Sequence, residues 1–217
     1  MVCCKGLDGM QAGMARTAAP WMASALGTAL LLAAAVLAVF GIEPAGIAKA
    51  LQVTARFMFV PFWLAYAGGA LARLLGPAFQ PLARHGRELG LAFASALLIH
   101  LGLVAWLWAI SERPPVSADT ALFFGSAAAC TYLLALSSIQ RLQRALSPRL
   151  WRVFRLLAME FIALAFITDF RHAGLHLSVK AMLVYQVFLA LIACGLCLRL
   201  ASWAYPRHAR QARPLAS

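Results

Sequence analysis

Six long apolar segments, separated by short polar linkers, limit what this chain of 217 residues can fold into. Each is close to the length of about 20 mostly apolar residues that a helix needs to cross a bilayer. The segments cover residues 22–41, 52–74, 88–110, 121–139, 152–170 and 180–203. Hydrophobic residues make up 63% of the chain and charged residues 12%, whereas soluble domains are about half apolar and a quarter charged. Because lipid must solvate most of this surface, the sequence predicts an all-α polytopic membrane bundle of six transmembrane helices.

The segments divide the chain into three parts. We expect residues 1–21 to form a cytoplasmic N-terminal segment, residues 22–203 the six-span domain and residues 204–217 a basic cytoplasmic tail. The first apolar run is longer than the core of a signal peptide, and no small-residue cleavage site follows it. We therefore interpret this run as an uncleaved membrane anchor.

The distribution of lysine and arginine predicts the orientation in the membrane. Of the 19 basic residues, fourteen fall on the side of the two termini and of the second and fourth linkers. The five on the other side are Lys49, Arg56, Arg113, Arg171 and Lys180. Since basic residues accumulate on the cytoplasmic side, both termini are expected there, in the inner (plasma) membrane. Contact of these charges with anionic lipid also explains the net charge of +12 without a nucleic-acid partner.

The cysteines give a weaker indication of chemistry. Cys194 and Cys197 have the spacing of a redox or metal-binding pair. They lie inside an apolar run, where structural zinc would require further ligands. We interpret them as small packing residues of a membrane helix.

Ionisable residues inside the predicted spans need a reason to be there, because such groups are costly in lipid. Those that we single out are Arg56 near the outer end of the second span, His100 in the middle of the third and Glu160 in the middle of the fifth, with Asp169, Arg171 and His172 at the outer end of the fifth. His100 is either a haem ligand, since neutral imidazole binds iron well, or a histidine that bonds a neighbouring helix. We expect the buried Glu160 to face the bundle interior and approach His100, because the two residues lie at similar depths. The alternative is that Glu160 bonds a backbone carbonyl or the serines at 137 and 138.

Several short motifs follow one another along residues 50–200. They are Thr54-Ala55-Arg56, Leu71-Ala72-Arg73, Arg84-His85-Gly86-Arg87, Leu89-Gly90-Leu91, His100, the stretch from Gly125 to Ser138 and the basic stretch from Gln143-Arg144 to Trp151. In this order they resemble the ferric-reductase-like transmembrane domain family, and within it most closely the haem-binding membrane subunits that partner periplasmic methionine sulfoxide reductases. Their order and spacing, more than any single piece, carry the resemblance.

The resemblance implies a haem b held by His100, with Arg56 at a haem propionate or an anionic headgroup. An arginine that reaches the membrane interface is the alternative interpretation of Arg56. The family places further haem histidines where this chain has Arg155 and Thr168, so at most one haem is expected. The electrons would come from quinol or a soluble reductase partner, because the sequence shows no flavin or nicotinamide domain.

Three functional hypotheses follow. The first is haem b electron transfer across the membrane to a partner reductase, which would make the chain an oxidoreductase subunit. The second is a haem-free relative of the same fold that serves as a membrane scaffold or partner subunit. The third is a small proton-linked transporter that uses His100 and Glu160.

Overall fold

The structure of the protein is a computed structural model that describes residues 5–138, 147–175 and 179–204, with side chains described over 17–138, 147–171 and 183–204. Every regular element within these ranges is helical, which confirms the all-α prediction. The helices are α1 (Lys5–Phe40), α2 (Pro44–Leu75), α3 (Gln80–Arg84), α4 (Gly86–Ile110), α5 (Ala118–Ser137), α6 (Pro148–Leu175) and α7 (Val179–Ala204), with a 3₁₀ turn at Pro77–Phe79 before α3. Cys3, Cys4 and the tail 205–217 lie outside the described residues.

Five of these helices are long and apolar enough to cross a membrane, and the chain is a multi-pass membrane protein. The apolar stretches are Thr17–Phe40, Pro44–Leu75, Gly86–Ile110, Ala118–Ser137 and Leu183–Ala204. The sixth long helix, α6, has 28 residues and is long enough to span. Its arginines near the start, with Glu160 and Asp169 further along, leave no equally apolar stretch among its described residues. Since α1 begins at Lys5, helix continues through the segment expected to precede the first span.

Five helices pack in a closed circuit, with α1 outside it. The contacts run from α2 to α4, α5, α6 and α7 and back to α2, and α1 packs against α2 and α4. Ala25, Ala29 and Ala33 form the buried side of α1. Such small residues let membrane helices approach closely. Leu31, 72% exposed, shows the opposite face turned outward to lipid.

Aromatic rings fill the interior of this circuit. The cluster consists of Phe59, Phe62, Phe93, Phe166, Phe170, Phe188, Tyr66 and Tyr185, contributed by α2, α4, α6 and α7. Phe59 is 1% exposed and meets Phe166, Phe170 and Phe188 edge to face at 5.3–5.5 Å between centroids. Edge-to-face contacts of this kind are favourable beyond simple burial.

One end of the bundle gathers most of the described arginines, and we call it the basic end. It comprises the end of α2, all of α3, the start of α4, the start of α6 and the end of α7, with Arg73, Arg84, Arg87, Arg152, Arg155 and Arg199. Gly76 ends α2 with φ +90°, a conformation that favours glycine and turns the chain sharply into α3. Trp21 of α1 stacks near His85 with 5.6 Å between ring centroids, which places the early part of α1 at the same end.

Candidate functional site

His100 makes a helix–helix hydrogen bond deep in the bundle. Its Nδ1 lies 3.0 Å from the hydroxyl of Thr54 on α2. The Thr54 hydroxyl is also 2.9 Å from the Ala50 carbonyl, to which it donates, and Thr54 is 1% exposed. With its proton directed to that carbonyl, the hydroxyl accepts the Nδ1–H of the imidazole. His100 therefore bonds a neighbouring helix through Nδ1, an arrangement that leaves its Nε2 able to bind iron.

Arg56 packs against an aromatic ring of α7. Its guanidinium carbon lies 4.6 Å from the centroid of the Tyr185 ring, a cation–π distance. Tyr185 is 2% exposed. Among the described residues, neither Arg56 Nε nor the Tyr185 hydroxyl has a hydrogen-bond partner. Arg56 is therefore half-buried against α7, and its guanidinium contacts a ring inside the bundle.

Glu160 is the centre of a polar contact that joins three helices. The Tyr66 hydroxyl on α2 donates to Oε2 at 2.6 Å, and a guanidinium nitrogen of Arg199 on α7 lies 3.0 Å from Oε1. Arg199 also donates to the Tyr66 carbonyl at 3.2 Å and lies 4.4 Å from the centre of the Tyr66 ring. The side chain of Glu160 is 37% exposed. We call Tyr66, Glu160 and Arg199 the polar triad.

The expectation that Glu160 approaches His100 is wrong. Both carboxylate oxygens are engaged by Tyr66 and Arg199, whereas His100 bonds Thr54. Thr54 and Tyr66 lie twelve positions apart on α2, a separation of roughly 18 Å along the axis at 1.5 Å per residue. The depth argument failed because it took the predicted spans 88–110 and 152–170 to start at the same level, whereas their partners on α2 show that His100 and Glu160 lie at different depths. Glu160 is also half-buried, not fully buried as expected.

Two members of the polar triad were not among the predicted site residues. Arg199 was counted only as a topology charge, although it lies within the predicted span 180–203. An ionisable residue within a span needs a partner, and this signal would have pointed to a pairing with Glu160. Tyr66 carried no such signal. Its position depends on Gly195, where a Cβ would lie 3.2 Å from the Tyr66 ring.

Two adjoining cavities open beside the polar triad at the basic end. The first has a volume of about 300 Å³ and is lined by Arg73, Arg152, Arg155 and Arg199; we call it the arginine-lined cavity. The second, of about 190 Å³, lies among α2, α4, α5 and α6; its lining includes the apolar Phe62, Phe93 and Ile162 and the polar Arg87, Arg155, Thr131 and Ser138, and we call it the inner cavity. Arg155 and Met159 line both.

The described residues do not fit a haem held by two histidines. Arg155 lines the cavities, and the Thr168 hydroxyl donates to the Leu164 carbonyl at 2.9 Å. His85, the other histidine with a described side chain, precedes His100 by fifteen positions, or roughly 22 Å along a helix. The side chains of His172 and His176 lie outside the described residues. In the described part of the chain, no three His, Cys, Asp or Glu side chains are grouped to hold a metal ion.

The cysteine pair also departs from its interpretation. Cys194 and Cys197 are free and exposed on α7, so they do not pack inside the bundle. The residue of this stretch that packs is Gly195, against Trp63 and Tyr66.

Comparisons with protein-family models, with curated proteins and with solved structures find no match to this chain. The resemblance to ferric-reductase-like membrane domains rests on the residues of this sequence alone.

Proposed function

We propose that the protein is a haem-free relative of the ferric-reductase-like membrane domains, which acts as a membrane scaffold or partner subunit. The observation that carries this proposal is that, among the described side chains, the only other imidazole is that of His85, fifteen positions before His100. His100 bonds Thr54 through Nδ1, so a haem would have to be held by its Nε2 with no second histidine from the described side chains. Arg155 and Thr168, at the positions of the other family histidines, offer no imidazole.

The packing of the bundle interior supports the same proposal. Phe59, Phe166 and Phe170 meet within one cluster inside the helix circuit. Protein interiors are close-packed, so a planar group as large as a haem would have to displace such side chains. A scaffold role requires a rigid bundle, and this packing provides one.

The visible absorption spectrum of the full chain tests the proposal. The protein is expressed in cells supplied with a haem precursor, purified in detergent and measured oxidised and reduced. We expect no Soret or α band. A reduced b-type spectrum that disappears in His100→Ala and persists in His85→Ala would overturn the proposal. It would favour haem b electron transfer from quinol or a soluble reductase partner.

Proton flux in liposomes tests the transporter hypothesis. Because Glu160 is bonded to Tyr66 and Arg199, we expect no flux above that of empty vesicles. Flux that is abolished by Glu160→Gln would replace the scaffold proposal with proton-linked transport.

For the orientation, we propose that both termini are cytoplasmic and that the protein lies in the inner membrane. The support is the excess of basic residues at the basic end and on the terminal side of the sequence. Alkaline phosphatase fused after Ser217 should then be inactive, and the same enzyme inserted between Pro114 and Pro115 should be active. The reverse pattern would contradict the proposed orientation.

A further inference from the structure

The arginine-lined cavity has more positive charge than the described residues neutralise. Arg199 is paired with Glu160 at 3.0 Å. Within the described residues, no carboxylate lies within ion-pair distance of Arg73, Arg152 or Arg155, and no acidic side chain lines the cavity. Three guanidinium groups therefore converge on one space of about 300 Å³. Guanidinium groups suit phosphate and carboxylate because they form paired, charge-assisted hydrogen bonds.

The spacing of two of these arginines allows them to act on one anion. Arg152 and Arg155 lie three positions apart on α6, and residues at this spacing share a helix face. Both are exposed into the cavity. Arg73 approaches from α2, where its guanidinium is held by a 3.0 Å hydrogen bond to the Ser202 carbonyl. An anion in the cavity would thus be contacted from two helices.

The inner cavity extends this site towards the middle of the membrane. Arg155 and Met159 line both cavities, together with Ala65 and Gly86. Phe62, which lines the inner cavity, precedes Arg73 by eleven positions on α2, or roughly 16 Å along the axis. The site is therefore cationic at the bundle end and apolar at depth, so its ligand should have an anionic head and an apolar body.

We propose that the two cavities form a binding site for an anionic phospholipid, with its phosphate on Arg73, Arg152 and Arg155 and an acyl chain in the inner cavity. The lipid headgroup and free phosphate both present anionic phosphate oxygens to the arginines. Basic pockets between membrane helices are suited to anionic lipid headgroups. The apolar part of the inner cavity favours the lipid over free phosphate, because phosphate has no apolar group that could occupy it. This proposal does not rest on the haem-free scaffold role, since the absorption spectrum does not report on lipid binding.

Native mass spectrometry of the full chain in detergent tests the headgroup contact. Phosphatidylglycerol is titrated against phosphatidylethanolamine with the same acyl chains, and we expect the anionic lipid to bind more tightly. The double variant Arg152→Gln, Arg155→Gln should weaken phosphatidylglycerol binding by about 30-fold, the effect of removing two cations near an anionic headgroup. The matched control is Arg84→Gln, Arg149→Gln, which removes the same charge at the same end from exposed residues outside both cavities. Equal losses in the two double variants would show general electrostatic attraction and overturn the site.

A second variant tests the acyl-chain contact without changing charge. Gly90 lines the inner cavity, and a Cβ there would have no neighbour within 4 Å, so Gly90→Leu adds a side chain that occupies the space. It should weaken binding of long-chain phosphatidylglycerol and leave the six-carbon-chain form unaffected. The control is Gly125→Leu on α5, also open around its Cβ and outside both cavities. If Gly90→Leu has no effect, or if inorganic phosphate displaces the lipid at equal concentration, the site binds a free anion and the lipid assignment is wrong.

Discussion

The two halves of the helix circuit are built from the same helices and filled in opposite ways. Away from the basic end, α2, α6 and α7 contribute Phe59, Phe166, Phe170 and Phe188, whose rings meet at 5.0–5.7 Å; we call this region the aromatic half. Towards the basic end, the same helices contribute Arg73, Arg152, Arg155 and Arg199 around the arginine-lined cavity; we call this region the basic half. The polar triad lies between them, since the Tyr66 ring also stacks on Phe62 at 5.6 Å.

The contrast between the two halves indicates that one contributes to stability and the other to ligand binding. In lipid, apolar side chains gain little by leaving the solvent, so helices associate through close packing and interhelical hydrogen bonds. The aromatic half provides the packing. Among the described residues, the basic half contains an open cavity and three arginines without an ion-pair partner. These features add no packing and favour the binding of an anion. Substitutions in the aromatic half should therefore change stability, and substitutions in the basic half should change binding.

The largest effect is expected for Phe59→Ala in the aromatic half. Phe59 is 1% exposed, and its loss leaves a cavity between three other phenylalanines. We expect a destabilisation of about 3 kcal/mol, the low end for Phe→Ala in cores. The value is low because, when the helices separate, lipid solvates the Phe59 ring better than water would. Reversible unfolding in mixed micelles measures it. Arg155→Gln is the basic-half control and should stay within about 0.5 kcal/mol of the parent, as exposed substitutions do. Equal losses would remove the distinction between the halves.

A smaller effect is expected at the boundary, for Gly195→Ala. The new Cβ would lie 3.1 Å from Trp63 Nε1 and 3.2 Å from the Tyr66 ring, so both side chains must shift. Overpacking of this kind costs about 1 kcal/mol or more. Gly125→Ala is the control, since nothing lies within 4 Å of its Cβ, and it should be neutral or slightly stabilising. A neutral Gly195→Ala would show that α7 does not approach Tyr66 this closely.

The helices could be predicted from the sequence, because apolar length and linker prolines act locally. The predicted spans 88–110 and 121–139 correspond to α4, Gly86–Ile110, and α5, Ala118–Ser137, within a few residues. The predicted first span, 22–41, corresponds to the apolar stretch Thr17–Phe40, but its helix begins further back. α1 begins at Lys5, in a stretch that contains charges, because its Ala-rich sequence favours helix. Hydropathy does not report this helix propensity.

The partners of the polar residues could not be predicted in the same way. In a helix that is apolar on every side, no amphipathic stripe shows which face turns inward. The pairing of Glu160 with Arg199 depends on the level and rotation of α6 and on the circuit that makes α6 and α7 neighbours. The cavities also depend on which helices are neighbours. The sequence does not show this, so Arg152 and Arg155 of α6 were interpreted only as charges that set the orientation.

The polar triad should show a measurable coupling energy across the boundary. Tyr66→Phe removes the donor and Glu160→Leu removes the acceptor of the 2.6 Å hydrogen bond. A double-mutant cycle should give about 1 kcal/mol, between the average and the maximum for hydrogen bonds in a membrane protein. The matched cycle pairs Tyr66→Phe with Thr168→Val, whose hydroxyl bonds its own helix at Leu164, and should give no coupling. Coupling below about 0.3 kcal/mol in the first cycle would mean that Glu160 is held by Arg199 alone.

The smallest effect is expected for the bond between His100 and Thr54. The imidazole depends on the Thr54 hydroxyl at 3.0 Å, but that hydroxyl keeps its bond to the Ala50 carbonyl when the imidazole is removed. Only the imidazole is left without its hydrogen bond when the contact is broken. The coupling between Thr54→Val and His100→Leu should therefore be about 0.6 kcal/mol, the average for hydrogen bonds in a membrane protein. Tyr132→Phe, which removes a 3.3 Å bond to the Ala94 carbonyl, sets the scale for a weaker contact in the same unfolding assay. If the His100 and Thr54 substitutions are additive, the imidazole is not held by this bond. The strongest support for assigning His100 to helix packing would then be lost, while the phenylalanine cluster would be unaffected.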